Sequence, residues 1–192
     1  MYKFIGFVDA DYKYEHEPLP DDAKLIEMEG LNTKSFIAGF VGIIIGYGLL
    51  ILKQYCLNNG ESVLNKPFIL LGVAIGALLL LLHELLHLIP YPRKGDKIIV
   101  IKNWTPCAYY SGAVSKGEFI TSSLLPVVLG AVPLLFFILL PASNEVINTI
   151  LWTAGTIGLA SPARDYVEAL ICLVKVPAGC SIQSGNGGFY YY

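Results

Sequence analysis

Long apolar stretches without any charge alternate with short polar segments along most of this 192-residue chain. The stretches cover residues 36–52, 67–82, 120–143 and 146–163, and the last continues after a polar interruption through 169–174. A membrane-spanning helix needs roughly 20 residues to cross about 30 Å of hydrocarbon. The second stretch reaches that length only by continuing to Ile89, because Pro90 and Pro92 then stop a helix. The pattern predicts an all-α membrane protein with four transmembrane helices.

A polar loop between the second and third stretches carries a different pattern. Residues 97–102 are rich in β-branched side chains and flanked by lysines, which is typical of a strand. Residues 107–110 follow a short turn and are expected to return as its partner, so the loop is predicted to contain a small β-hairpin. Its open edge would receive an extended substrate, or Trp104, Tyr109 and Tyr110 would anchor it among the lipid headgroups; the two interpretations have equal support.

Composition agrees with a membrane protein. Apolar residues make up 55% of the chain, charged residues only 15%, and the mean hydropathy is +0.60. The apolar content excludes disorder, and a net charge of -2 excludes a basic nucleic-acid-binding surface. Four cysteines without CxxC spacing do not form the framework of a disulfide scaffold. We therefore expect the lipid bilayer as a partner and no nucleic acid.

Charge placement suggests the organisation and the topology of the chain. Acidic residues concentrate before residue 30, which predicts an acidic cytoplasmic tail (1–35), a transmembrane bundle (36–175) and a C-terminal cytoplasmic tail (176–192). A short strand near residues 4–8 and a disordered, solvated tail are equally compatible with the first segment. With four spans, nearly all basic residues share one side and only Lys53 and Lys66 fall on the other. Both termini are therefore predicted to be cytoplasmic in a multi-pass protein of the cell membrane.

The sequence His83-Glu84-Leu85-Leu86-His87 ends the second apolar stretch. Four-residue spacing puts both imidazoles on one helix face, one turn apart, where they can bind one zinc ion. Glu84 lies about 100° round the helix and can act on a water molecule without ligating the metal. Ionisable residues at this depth in a membrane are energetically costly and usually functional. The alternative without a catalytic role is that the two histidines cap a helix near the headgroups. Gly72 and Gly76 lie on the same helical stripe, which predicts that this face points into the bundle.

Two histidines leave a catalytic zinc site incomplete, because such sites normally have three protein ligands and an open position. His16 lies in the acidic tail, where a solvated role is expected. Asp165 and Glu168 follow Ser161-Pro162, a pattern typical of a helix start. They form a charge cluster with Arg164 at the membrane edge, or one of them is the third ligand. Spacing alone leaves the choice between Asp165 and Glu168 open.

The motif His83–His87 near the end of the second span, the β-prone loop, two further spans and a late aspartate together resemble the putative zincin peptidase family of bacterial membranes. That family is similar to the site-2 proteases. The resemblance covers roughly residues 36–185 and implies that Asp165 is the third ligand. The chain departs from the site-2 protease pattern at Leu86, where those proteins usually have glycine, and it lacks their Asn-Pro and Leu-Asp-Gly signature around Asp165.

These observations lead to one main functional hypothesis. The chain is expected to be a membrane-embedded zinc metallopeptidase of the HExxH type, cutting peptides or membrane proteins near the cytoplasmic interface. His83, His87 and Asp165 would hold Zn²⁺, and Glu84 would be the general base and acid. The rivals are a catalytically silent membrane scaffold and a metal-handling or transport protein. The oligomeric state and the substrate have no signature in the sequence.

Overall fold

The computed structural model of the chain describes residues 2–9, 12, 15–185 and 187–192. Residues 1, 10, 11, 13 and 14 of the predicted N-terminal tail, and residue 186 of the predicted C-terminal tail, lie outside the described part. The α-helices are α1 (Leu31–Ile51), α2 (Ile69–Leu88), α3 (Lys116–Leu124), α4 (Val128–Leu139), α5 (Glu145–Ala160) and α6 (Ala163–Lys175). The strands are β1 (Tyr2–Val8), β2 (Lys24–Leu25), β3 (Lys97–Lys102), β4 (Thr105–Tyr110), β5 (Val114–Ser115), β6 (Ser181–Gly185) and β7 (Gly188–Tyr191).

Two β-sheets show that the prediction of an all-α fold was wrong. In the first sheet, β3 and β4 form an antiparallel hairpin between α2 and α3, and β1 pairs in parallel with the other edge of β3. In the second sheet the strand order is β2-β7-β6-β5. Strand residues from both ends of the chain therefore complete the two sheets. Backbone N–H and C=O groups of these terminal segments gain partners there that a solvated tail would find only in water.

The prediction of four membrane-spanning helices was also wrong. Within the described residues, three helical segments are long and apolar enough to cross a membrane: Leu31–Cys56, Lys66–Leu88 and Lys116–Leu139. The fourth apolar stretch is divided into α5 and α6 at Ser161 and Pro162. The 16 residues of α5 are only about 24 Å long at 1.5 Å per residue, which is short of a typical hydrocarbon core. Proline cannot donate the backbone hydrogen bond that would continue α5.

The chain divides into two compact units that interleave along the sequence. The first unit takes its described residues from 1–31, 83–125 and 165–192, and the second from 32–82 and 126–164. The first contains both sheets, α3, nearly all of α6 and the last six residues of α2. Its core includes Leu88, Val100, Phe119, Cys172 and Ile182, which are at most 3% exposed. Ile26, also 3% exposed, adds the N-terminal segment, so all three parts of the chain that enter this unit contribute buried apolar residues.

The second unit is helical and tightly packed through small residues. A Cβ on Gly72 would lie 2.7 Å from Thr153 Cβ, and one on Gly158 would lie 2.6 Å from the carbonyl oxygen of Leu129. These distances are shorter than real side chains allow, so the helices approach closely only because glycine stands there. A further feature of this unit is Lys53, 2% exposed, which donates to the carbonyl oxygen of Leu140 (3.0 Å) and to Asn148 Oδ1 (2.7 Å).

Candidate metal centre

Three side chains from two helices converge in the first unit. His83 and His87 lie on the last two turns of α2, and Asp165 lies in the first turn of α6. Asp165 Oδ2 is 3.1 Å from His83 Nε2 and 3.6 Å from His87 Nε2. The two Nε2 atoms are 3.0 Å apart. Within the described residues these three side chains form a group able to hold one metal ion.

The geometry of this group fits a zinc ion. Zinc bonds to histidine nitrogen and carboxylate oxygen are about 2.0–2.2 Å long, so tetrahedral ligand atoms stand roughly 3.3 Å apart. The observed separations of 3.0, 3.1 and 3.6 Å bracket that value. Two imidazole nitrogens and a carboxylate oxygen that point at one spot need a proton or a cation between them. Three ligands of this type also leave a fourth position open for water or substrate, as in catalytic zinc sites.

The ring of His87 is held in the orientation that metal binding requires. Its Nδ1 lies 2.9 Å from the carbonyl oxygen of Ser122 on α3. A carbonyl can only accept, so Nδ1 carries the proton and Nε2 keeps its lone pair for a metal. Ser122 Oγ in turn donates to the carbonyl oxygen of His87 at 2.6 Å. The Nδ1 atom of His83 is buried without a hydrogen-bond partner among the described residues.

The carboxylate of Asp165 remains ionised although it is largely buried. Burial by itself raises the pKa of this group, but its interactions with the imidazoles of His83 and His87 outweigh burial and bring the pKa below its ordinary value. The neighbouring hydroxyl of Tyr166 has its pKa raised to about 12 by burial and by the charge of Asp165. Asp165 therefore supplies a negative charge to the ligand group.

Glu84 stands beside the three ligands and is held by the edge of a sheet. Its Oε1 is 4.0 Å from His83 Nε2, and its Oε2 accepts a hydrogen bond from the backbone N–H of Ala108 at 3.0 Å. Ala108 lies in β4, an edge strand of the first sheet. Because its N–H points to Glu84, Ala108 presents its backbone to the side of β4 that faces away from β3. One carboxylate oxygen is thus fixed while the other faces the ligand group.

A cavity of about 210 Å³ opens at this centre. Its walls include Glu84, His87, Asp165, Tyr109, Ser123 and Glu168. Polar groups of the site therefore face a space large enough for a side chain, and the ligand group is not sealed in the core.

Two other titratable residues singled out in the sequence, Glu168 and His16, lie outside the ligand group. Glu168 is buried in the cavity wall at 7% exposure, outside the group able to hold a metal ion. His16 also lies outside that group, with its Nδ1 3.1 Å from the carbonyl oxygen of Glu17.

Two residues of the site were not predicted from the sequence: Ser122, which orients His87, and Ala108, which orients Glu84. Ser122 had a detectable signal, because it is one of two adjacent serines in an apolar stretch; a backbone N–H such as that of Ala108 has none.

Comparison with known families gives one match. A family model described as "Putative zincin peptidase" matches residues 76–181, which is more than half of the chain and includes both histidines, Glu84, Ala108, Ser122 and Asp165. No curated protein and no solved structure matches the chain.

Proposed function

This chain belongs to the family of putative zincin peptidases, and from that membership we propose that it is a membrane-embedded zinc metallopeptidase of the HExxH type. The family suggests a metallopeptidase. The observation that carries the finer proposal is the convergence of His83, His87 and Asp165 on one point, with Glu84 beside it. We propose that the enzyme cuts peptide bonds near the cytoplasmic face of the cell membrane.

The three converging side chains would hold Zn²⁺. When bound, the ion supplies Lewis acidity, which polarises a carbonyl and lowers the pKa of a water molecule. His87 is aligned for this task by Ser122, and Asp165 provides the negative charge. These protein groups position the site before substrate arrives, so little rearrangement is needed in the reaction.

Glu84 would move the proton. Its free Oε1 faces the site, where it accepts a proton from the attacking water and returns it to the departing amine. The hydrogen bond from Ala108 N–H to Oε2 keeps the carboxylate from turning towards the metal. The Glu84 side chain thus acts as base and then as acid within one catalytic cycle.

The outward edge of β4 is the proposed binding site for an extended peptide. Ala108 and Pro106, two residues apart, present their backbone to the same side, and a proline without N–H is tolerated there because that edge is not paired with β3. Because the N–H of Ala108 is held by Glu84 and Pro106 has none, a peptide that adds to this edge would donate its own N–H groups to the carbonyls of these two residues. The peptide would then lie beside Glu84 and the ligand group. This is the substrate-binding alternative of the hairpin rather than the purely anchoring one.

Several features support a membrane location. Three apolar helical segments are long enough to span, and the segment Lys66–Leu88 contains both histidines. Strand β2, which precedes the first candidate span, pairs with β7, which follows the third, and this pairing supports our proposal that both strands lie on one side of the bilayer. With three spans, the segment after the third would then have to return to that side. The excess of basic residues on that side makes it cytoplasmic in our proposal.

Replacement of Glu84 by glutamine separates this function from its rivals. The purified full-length protein would be incubated with a proteome-derived peptide library, with cleavage read by mass spectrometry and bound zinc by elemental analysis. We expect Glu84→Gln to abolish cleavage while keeping zinc, and the matched control Glu118→Gln, at a helix cap on α3, to keep both. Zinc binding without cleavage by the unsubstituted protein would indicate a metal-handling protein. Absence of both zinc and cleavage would indicate a scaffold.

A further inference from the structure

One face of the first sheet is apolar and strongly exposed along β1 and the hairpin turn. Strand β1 pairs in parallel with β3, with a bulge at Ile5, so that Tyr2 lies opposite Lys97, Phe4 opposite Ile99, and Phe7 opposite Ile101. Residues directly opposite in a sheet share a face, whereas Ile98 and Val100 point to the other face and are buried in the core. The exposed part of this face is therefore aromatic and comes from β1, while Ile99 and Ile101 of β3 are half-buried beside it and Lys97 is buried.

Four aromatic side chains on and beside this face are strongly exposed. The exposed fraction is 58% for Tyr2, 70% for Phe4, 67% for Phe7 and 86% for Trp104. Trp104 comes from the turn between β3 and β4, and its ring meets the ring of Phe7 edge-on at 5.2 Å between centroids. We call these four residues the aromatic face. No acidic side chain lies among its residues or their partners in β3.

The backbone at Trp104 has a conformation that is unfavourable for tryptophan. Asn103 and Trp104 form the two-residue turn of the hairpin and have φ angles of 51° and 64°. This left-handed region suits Asn and Gly, and it is unfavourable for a bulky residue such as tryptophan. A strained aromatic residue at a solvent-exposed turn is a feature expected of a contact surface.

Two hydrogen bonds attach the first sheet to the end of the candidate span Lys66–Leu88. Lys97, at the start of β3, donates from Nζ to the carbonyl oxygen of Leu88 at 2.6 Å. Ala108, in the middle of β4, donates to Glu84 at 3.0 Å. Leu88 ends both α2 and the candidate span Lys66–Leu88, and Glu84 lies one turn before it. The sheet is thus attached to the end of a candidate span. If that segment crosses a bilayer, its end is expected to lie near the lipid headgroups.

We propose that the aromatic face is a lipid-binding surface, which inserts into the headgroup layer of the bilayer that the candidate spans cross. Tryptophan and tyrosine favour that layer because their rings are amphipathic, and phenylalanine adds apolar area. Such an anchor would hold β4, and with it the substrate-binding edge, at a defined depth beside the membrane. This inference rests on the membrane location proposed above, but not on peptidase activity.

Fluorescence of Trp104 tests the proposal with the full-length protein in phosphatidylcholine vesicles. The chain has two tryptophans, Trp104 and Trp152, so subtracting the emission of a Trp104→Phe variant isolates the signal of Trp104. We expect vesicles with brominated acyl chains to lower this signal by roughly half, and aqueous iodide to leave it nearly unchanged. In a Phe4→Ser/Phe7→Ser double variant the effect of bromine should fall about twofold, because the neighbouring rings no longer insert.

Other outcomes would overturn the proposal. Quenching by iodide but not by bromine would place Trp104 in water. Protection from both quenchers would mean that a second copy of the chain covers the aromatic face. An alkaline wash of the vesicles and the peptide-cleavage assay separate this inference from the proposed function. A protein that stays in the vesicles and cleaves peptides while Trp104 is in water refutes the lipid-binding surface alone. Bromine quenching in a protein without cleavage refutes the peptidase alone.

Discussion

Lys97 connects the hairpin to the helix that carries His83 and His87. Its substitution should lower both the free energy of unfolding and the affinity for zinc. Its side chain is buried at 5% exposure, and Nζ donates to the carbonyl oxygens of Leu88 (2.6 Å) and Tyr91 (2.8 Å). The last carbonyls of a helix have no partner within the helix, and a positive charge near that end is also favourable. Lys97 therefore stabilises the end of the helix that carries His83 and His87.

The magnitude follows from these two hydrogen bonds. A hydrogen bond to a charged group contributes about 1.5–3 kcal/mol. Lys97→Met removes both bonds and leaves two carbonyls short of a partner, but it also removes the cost of burying an ammonium group. We expect a net loss of about 2–4 kcal/mol in the free energy of unfolding. Because the last turn of α2 becomes less ordered, zinc affinity should fall by about tenfold.

A denaturant titration of the metal-free protein in detergent measures the stability, and competition with a chelator measures the zinc affinity. The matched control is Lys102→Met at the other end of β3, where Nζ is 3.4 Å from the carbonyl oxygen of Tyr12. That partly exposed contact is long, so the control should lose no more than about 0.5 kcal/mol. If both variants lost the same stability, or if Lys97→Met bound zinc as tightly as the unsubstituted protein, the assigned role of Lys97 would be wrong.

Three further predictions concern the ligand set, the helix packing and the hairpin turn. Asp165→Ala should lose zinc in elemental analysis while Glu168→Ala keeps it, and the opposite result would move the third ligand to Glu168. Gly158→Ala should lower the free energy of unfolding by about 1–3 kcal/mol, because the new Cβ meets the carbonyl oxygen of Leu129 at 2.6 Å. Gly48→Ala, in open space on α1, should stabilise by about 0.5–1 kcal/mol in the same titration, and equal effects would refute the packing argument. Trp104→Gly should raise the free energy of unfolding in detergent by about 1 kcal/mol, since glycine adopts a φ of 64° without strain. A lower free energy of unfolding would contradict this.

The parts of the site that depend on local geometry were predictable. The spacing of His83 and His87 places two imidazoles on one face of any helix, and Glu84 must then project beside them. Asp165 could be proposed only together with Glu168, since both follow the same helix start. The family resemblance favoured Asp165, and the structure places its carboxylate next to both imidazole nitrogens.

The errors in the predicted fold have a common physical origin. Hydrophobic periodicity measures how a segment is buried, but not what it is buried against. Strand β1 pairs with β3 across nearly a hundred residues, and β2 pairs with β7 at the opposite end of the chain. Short segments such as these have ambiguous local patterns, so the sequence left a strand near residues 4–8 and a solvated tail as equal alternatives, and the structure has a strand there. The fourth apolar stretch was long enough in total, but Pro162 divides it into two shorter helices.

The amino-acid sequence by itself determined the apolar character of the chain, the positions of the long helices and the spacing of the histidine pair, because all three depend on neighbours within a few turns. Only the tertiary structure decided which carboxylate meets the imidazoles, which backbone N–H holds Glu84 and where the strands pair. Those arrangements depend on contacts between distant segments. Each is favourable only after many other groups have been ordered, so no short pattern in the sequence encodes it.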